Sequence, residues 1–152
     1  MVRRALEALS SVGETRAVSS VYETAPFGVT DQPAFLNCCV ALDTELTPAE
    51  LLARTRRIER DLGRVPGPRW GPRTVDIDLL LYGGRRVRTR ELVVPHPGLL
   101  ERAFVLVPLA EIAADQPIPG ADITVAEALA RVAREPGDVR RVAPPPGRRA
   151  SP

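Results

Sequence analysis

Two carboxylates stand one residue apart, Asp76 and Asp78, inside the stretch RWGPRTVDIDLLLY at residues 69–82. If the chain is extended from Val75, alternate side chains share a face, which puts the two acids on one side, roughly 6 to 7 Å apart. Acids held that close repel each other and lose hydration, unless a cation neutralises them. Mg2+, which prefers oxygen ligands, suits the role. Arg69 and Arg73 just upstream bring fixed positive charge to the same end, which suits a phosphate chain arriving with the metal. An edge strand with two solvated acids paired to these arginines explains the D-x-D spacing equally well.

The acids need an element to hold them. Ile77, Leu79 and Leu81 would take the face opposite the acids, while Leu80 and Tyr82 continue the acidic face as apolar residues. The pattern predicts a strand over 75–82 that is covered on both sides. The loop RVPGPR at 64–69 delivers the chain to it, and Gly83-Gly84 predicts a tight turn into a second strand over 85–94. The sheet is therefore mixed or antiparallel. Upstream, residues 1–11 have helical spacing, 15–24 and 35–44 have the composition of strands, and 25–33 is a loop. Asn37 is an amide in an apolar half-strand and needs partners. Thr47, Pro48 and Glu50 form a capping-box start to a helix with Leu51, Leu52, Thr55, Ile58 and Leu62 as its stripe, closed by Gly63. After Pro95-His96-Pro97, residues 99–114 read as a helical turn and then a helix with Pro108 near its start. Thr124 and Glu127 make a second capping box for a helix that runs to Pro136-Gly137. Residues 138–152 have no periodic apolar face and read as a disordered Pro/Arg-rich tail.

With 152 residues and 44% hydrophobic content, the chain suffices for one domain with its own core. A net charge of +2 does not argue for a nucleic-acid partner. There is no lysine, which excludes a lysine phosphate clamp or Schiff base. Cys38 and Cys39 are neighbours pointing to opposite faces of a strand, so they read as unbridged core residues in a reducing compartment. No apolar run reaches the ~20 residues of a membrane span, and the N-terminus lacks the apolar core of a signal peptide, so the cytoplasm is expected. The single histidine, His96, reads first as structural. Trp70, Phe35 and Phe104 fit either a core or a flat ligand. A Walker-type glycine loop, a G-x-S-x-G elbow and Cys/His metal spacing are all absent.

Taken together, VSSVYETAPFG, DQPAFLN, IERDLGR, RWGPRTVDIDLLLYG, VPHP and ERAFVLVPLAEIA, in that order, closely resemble the 6-hydroxymethyl-7,8-dihydropterin pyrophosphokinases. These folate-pathway enzymes transfer pyrophosphate from ATP to a pterin alcohol. The resemblance covers about residues 2–133. It implies a ferredoxin-like, three-layer αβα sandwich of the α+β class with a mixed or antiparallel central sheet, formed by a catalytic domain over 1–137. It also implies that Asp76 and Asp78 ligate two Mg2+ ions bound with ATP. Arg64, Arg73, His96 and Arg102 match phosphate-contacting positions, with Arg64 and Arg73 joining the two aspartates as catalytic residues. Phe35 and Phe104 match the aromatics that sandwich the pterin, Asn37 bonds its edge, Thr24 and Phe27 offer backbone contacts, and Trp70 closes over the bound substrates.

The family begins with a strand and a glycine turn ahead of its first helix, whereas this chain starts within that helix. Arg56 stands where a glutamine contact to ATP is often found, and the loop before Trp70 is about one residue short. The expected protein is a cytoplasmic monomer whose partners are ATP and the pterin, with no nucleic acid and no membrane. Two other readings are a remnant that binds ATP or pterin without turnover, and an arginine-rich nucleic-acid module. Basic residues dispersed along the chain speak against the latter.

Overall fold

Both capping boxes close. The Thr47 hydroxyl accepts the Glu50 N–H at 3.2 Å, and the Glu50 carboxylate accepts the Thr47 N–H at 3.0 Å. Thr124 and Glu127 repeat the exchange at 3.2 and 3.1 Å. Each box satisfies backbone donors that the first helical turn leaves open. A computed structural model describes residues 1–24, 35–63 and 75–147. In chain order they form α1 (Val2–Leu9), β1 (Glu14–Val18), β2 (Val21–Thr24), β3 (Phe35–Asn37), β4 (Val40–Asp43) and α2 (Pro48–Asp61). Then follow β5 (Val87–Arg88), β6 (Val93–Val94), a 3-10 turn at Leu99–Glu101, α3 (Ala103–Ala113), β7 (Pro117–Ile118), β8 (Ile123–Thr124), α4 (Val125–Arg131) and β9 (Val139–Ala143). The fold is α+β, and every ladder among the described residues is antiparallel.

The strands expected over 15–24 and 35–44 are each broken in two by a bulge. β1 pairs with β4, and β2 with β3, but the register slips between Thr15 and Ala17, and again between Val18 and Tyr22. The second slip falls on Ser19 and Ser20, both fully buried. Buried backbone groups that leave a ladder must find other partners. Ser19 N–H donates to the Cys39 carbonyl at 2.8 Å, and the Ser19 hydroxyl accepts the Cys39 N–H at 2.8 Å.

Two apolar clusters form the core. One gathers Cys39, Leu99, Leu106, Leu109, Ile118, Val125 and Ala128 between α3, α4 and the sheet. The other joins Leu9 of α1 and Val12 just beyond it to Leu51 and Ile58 of α2. The segment 75–82 runs between them, with Ile77, Leu79 and Tyr82 on the second cluster and Leu80 and Leu81 on the first. Two-sided cover is thus as expected, but Leu81 and Tyr82 exchange the faces that strict alternation assigns them, and the strand is absent: among the described residues 75–82 joins no ladder. Its alternating pattern reports burial on two faces, and burial does not require a hydrogen-bonded neighbour. One backbone bond, His96 N–H to the Leu80 carbonyl at 2.9 Å, ties it to the later chain.

Other boundaries also move. Gly83 has a φ of +55°, as a tight turn needs, and Arg85 N–H bonds to the Tyr82 carbonyl at 3.1 Å. The strand expected over 85–94 instead folds back on itself as β5 and β6, around a turn where the Thr89 hydroxyl accepts the Leu92 N–H at 3.0 Å. Pro108 lies midway along α3, not near its start. Helix α4 ends at Arg131, well short of Pro136, as Val132 turns extended.

The tail expected to be disordered from residue 138 contains a strand. β9 adds to the free edge of β2 and is fastened by Arg140 to Glu23 at 2.9 Å and by Arg141 to Ser20 at 2.8 Å. A strand held by main-chain bonds and polar cross-strand pairs carries no apolar periodicity to read. The loops expected at 25–33 and 64–69 lie outside the described residues. Among those described, no helix is long and apolar enough to cross a membrane.

Candidate active site

Asp76 and Asp78 are both exposed, while Ile77 between them turns inward against the Ile58 cluster. The two acids therefore share an outer face, as their spacing predicts. The Ile77 N–H donates to the Glu59 carboxylate at 3.0 Å, and Glu59 is only 7% exposed. Helix α2 thus fixes the peptide that joins the two aspartates. Sequence reasoning missed Glu59, although a visible signal existed: it is a charged residue next to Ile58 on the buried side of the helix.

The family resemblance implies magnesium, and the donor set fits it. Among the described residues no cluster of three or more His, Cys, Asp or Glu side chains could cage an ion. An exposed carboxylate pair offers oxygen ligands and leaves positions for water and phosphate oxygens, the coordination Mg2+ favours.

His96 follows the cis Val94–Pro95 peptide and is half-buried. Its Nδ1 accepts the Gly98 N–H at 3.1 Å, so the ring proton resides on Nε2, the nitrogen left to donate. A side chain at Gly98 would place its Cβ 2.6 Å from Arg102 Nε, so glycine lets the Arg102 side chain lie against the turn. The Arg102 guanidinium carbon stands 5.8 Å from the centre of the Phe104 ring, within cation–π range. Leu80, two residues after Asp78, thus bonds to His96, the His96 ring bonds to Gly98, and Gly98 lies against the Arg102 side chain, which stands over Phe104.

The other pterin residues come from the β2–β3 ladder. Tyr22 faces Asn37 and Thr24 faces Phe35 across it, so all four side chains share one face. The Asn37 amide nitrogen donates to the Thr24 hydroxyl at 3.0 Å, giving the buried Thr24 and the half-buried Asn37 a partner in each other. Phe35 is 53% exposed, far more than a core phenylalanine. Helix α3, which carries Phe104, packs against β2, β3 and β4. Phe27, Arg64, Trp70 and Arg73 lie outside the described residues.

A second carboxylate that the sequence reading passed over, Glu111, anchors α3 to the sheet. Its oxygens accept the Ser20 N–H at 3.1 and 3.0 Å, the Ser20 hydroxyl at 2.7 Å and the Tyr22 hydroxyl at 2.7 Å. Partial burial raises its carboxyl, but the bonds from Ser20 and Tyr22 and the charge of Arg141 together outweigh this and hold it below the usual range. Burial, then the bond to Glu111, push the Tyr22 phenol up to about 12. Burial likewise pushes the Cys39 thiol up to about 12 and raises Cys38, so neither is a thiolate nucleophile at neutral pH. Both cysteines are free, as their adjacency predicts.

The described residues thus carry an outward carboxylate pair, a His96–Arg102 turn and an exposed aromatic on one antiparallel α+β scaffold. The profile of the 7,8-dihydro-6-hydroxymethylpterin-pyrophosphokinase (HPPK) family matches residues 1–114. The 2-amino-4-hydroxy-6-hydroxymethyldihydropteridine pyrophosphokinase of Methylorubrum extorquens is 51% identical over 144 residues, covering 93% of this chain and 89% of that protein. The proteins of the same name from Pseudomonas aeruginosa and Haemophilus influenzae are 47% and 44% identical, each across 78% of this chain and 74% and 76% of their own lengths. The chain belongs to the HPPK family.

Proposed function

We propose that the chain transfers pyrophosphate from ATP to 6-hydroxymethyl-7,8-dihydropterin in folate biosynthesis, releasing AMP and the pterin diphosphate. The observation that carries this reading is the outward pair Asp76 and Asp78, held by Glu59 and linked through Leu80 to the segment bearing His96, Arg102 and Phe104. In this reading the hydroxymethyl oxygen attacks the β-phosphorus and the bond from that phosphorus to the α,β-bridging oxygen breaks. AMP leaves and the hydroxyl proton is released. Magnesium bound by Asp76 and Asp78 supplies charge neutralisation along the triphosphate.

The remaining work falls to the chain's own groups. Arg64, Arg73, Arg102 and the His96 Nε2–H donate to phosphate oxygens, with Arg64 and Arg73 as catalytic residues beside the two aspartates. Phe35 and Phe104 stack on the pterin, Asn37 recognises its rim, Thr24 and Phe27 supply backbone contacts, and Trp70 closes over both substrates. Orientation of two bound reactants is the main source of rate in such a transfer. We read the architecture as the ferredoxin-like αβα sandwich, supported by the bent β1–β4 and β2–β3 ladders with α3 packed on them, and the protein as a cytoplasmic monomer without nucleic-acid partners.

Incubation of the protein with ATP, Mg2+ and the pterin alcohol should release AMP and the pterin diphosphate in equal amounts. Removing divalent cations with EDTA should stop the release, and added Mg2+ should restore it. Folded protein that releases no AMP under these conditions would overturn the assignment.

A further inference from the structure

Glu111 is the only charged residue in α3, Ala103–Ala113, and its carboxylate points at the sheet and not into water alone. It serves a site that strand pairing leaves open. Ser20 lies in the bulge between β1 and β2, fully buried, and its N–H has left the ladder. Both Glu111 oxygens take that N–H, and one also takes the Ser20 hydroxyl. The same hydroxyl oxygen accepts Arg141 Nε of β9 at 2.8 Å. Tyr22 completes the clasp through its own hydroxyl. The bulge, β2 and α3 thus meet at a single carboxylate, and β9 joins them through Ser20.

The placement of this clasp gives it a function beyond stability. Glu111 follows Phe104 by seven residues, two helical turns or about 10 Å, so both side chains leave α3 toward the same surface. On the sheet, Thr24 lies four residues beyond Ser20, about 13 Å along an extended chain, and on the same face as Tyr22. Leu106 of α3 and Cys39 pack in one buried cluster, with the Cys39 Sγ 3.9 Å from the Val105 carbonyl. One helix, packed on β2, β3 and β4, is therefore clasped at Glu111 and carries Phe104 two turns away, while the same sheet bears Thr24 and Asn37.

We propose that Glu111 is a positioning residue for the pterin: through Ser20 and Tyr22 it sets the spacing between the Phe104 end of α3 and the Thr24–Asn37 face of the sheet. The inference rests on the pterin reading of that face. Stacking and rim bonding both depend steeply on separation, so a clasp that lets α3 drift loosens the ring's slot. The phosphate side, fixed by Glu59 and the His96 turn, has its own attachment to α2 and to Leu80. Arg102 stands at the N-terminal end of α3 beside Phe104 and shares in any drift, so loosening the clasp weakens pterin binding more than phosphate binding.

Glu111→Gln tests this directly, because its amide group would turn a donor toward the donors of Ser20 and Tyr22. The KM for the pterin should rise about tenfold, equivalent to ~1.4 kcal/mol. The Kd for a non-hydrolysable ATP analogue, and kcat at saturating pterin, should stay within about twofold. Tyr22→Phe, which removes one donor and leaves the Ser20 bonds, should raise the pterin KM by a smaller factor, and it carries the test if Glu111→Gln does not fold. A folded variant with unchanged pterin KM, or one in which ATP-analogue affinity falls equally, would overturn the inference. Wild-type protein without turnover would instead count against the enzymatic reading, so the two failures are distinguishable.

Discussion

The Glu59 carboxylate accepts the main-chain N–H of Ile77 at 3.0 Å, and Ile77 is the residue that separates Asp76 from Asp78. A nearly buried acid on α2 thereby holds the peptide on which both exposed acids are mounted. Glu59→Ala would strand the Ile77 donor in a half-buried place. We expect a loss of about 1–3 kcal/mol in denaturant unfolding, together with a higher Mg2+ requirement for turnover. Unchanged stability and unchanged Mg2+ dependence would separate Glu59 from the acidic pair.

Asp76→Asn and Asp78→Asn remove charge from exposed positions while keeping the side-chain shape. Each should lower AMP release at least a hundredfold, about 2.7 kcal/mol of lost transition-state stabilisation. Thermal melts in the absence of ligand should stay close to wild type. Activity near wild type in either variant would remove that carboxylate from the metal site.

Tyr22 offers a spectroscopic check on the clasp. Its phenol is raised from 10.0 to about 12 by burial first and by the bond to Glu111 next. The folded state holds this proton more tightly than the unfolded chain. The associated stability is therefore complete below pH 10 and declines as pH rises toward 12. The tyrosinate absorbance lost in Tyr22→Phe, taken as a difference titration, should have its midpoint near 12. A midpoint at the ordinary value would mean that the phenol is not held by Glu111.

At acid pH the sign reverses for Glu111, whose carboxyl is held below its ordinary 4.5. Its contribution is whole above that value and fades as pH falls through the lower folded value. Wild type should therefore lose its stability advantage over Glu111→Gln as the solution is acidified below about 4.5. Equal pH profiles of unfolding for the two proteins would contradict this.

Gly13 makes a separate prediction about the turn between α1 and β1. A Cβ there would run into the Asp43 carbonyl oxygen, which is main chain and cannot rotate away. Gly13→Ala should destabilise by about 1–3 kcal/mol. A neutral effect in thermal unfolding would show that β4 can shift.

Much of the candidate site was legible in the sequence because its signals are local. The D-x-D spacing predicted a shared outer face for Asp76 and Asp78, and side-chain alternation along the segment delivers it. The capping boxes at Thr47 and Thr124 were readable because both partners lie within one helical turn. Asn37 was flagged as an amide needing partners, and Thr24 across the ladder supplies one.

Strand pairing, the bulge and the anchoring acids were decided by the tertiary structure. Alternation could not say that 75–82 would pack against a cluster on either side yet join no ladder, since pairing depends on which chain lies alongside. Nor could it foresee β9, whose partners Glu23 and Ser20 are more than a hundred residues away. Glu59 and Glu111 look like ordinary surface acids until the fold brings the Ile77 and Ser20 amides to them. Local chemistry is encoded residue by residue, whereas the partners of a buried polar group exist only once distant segments have met.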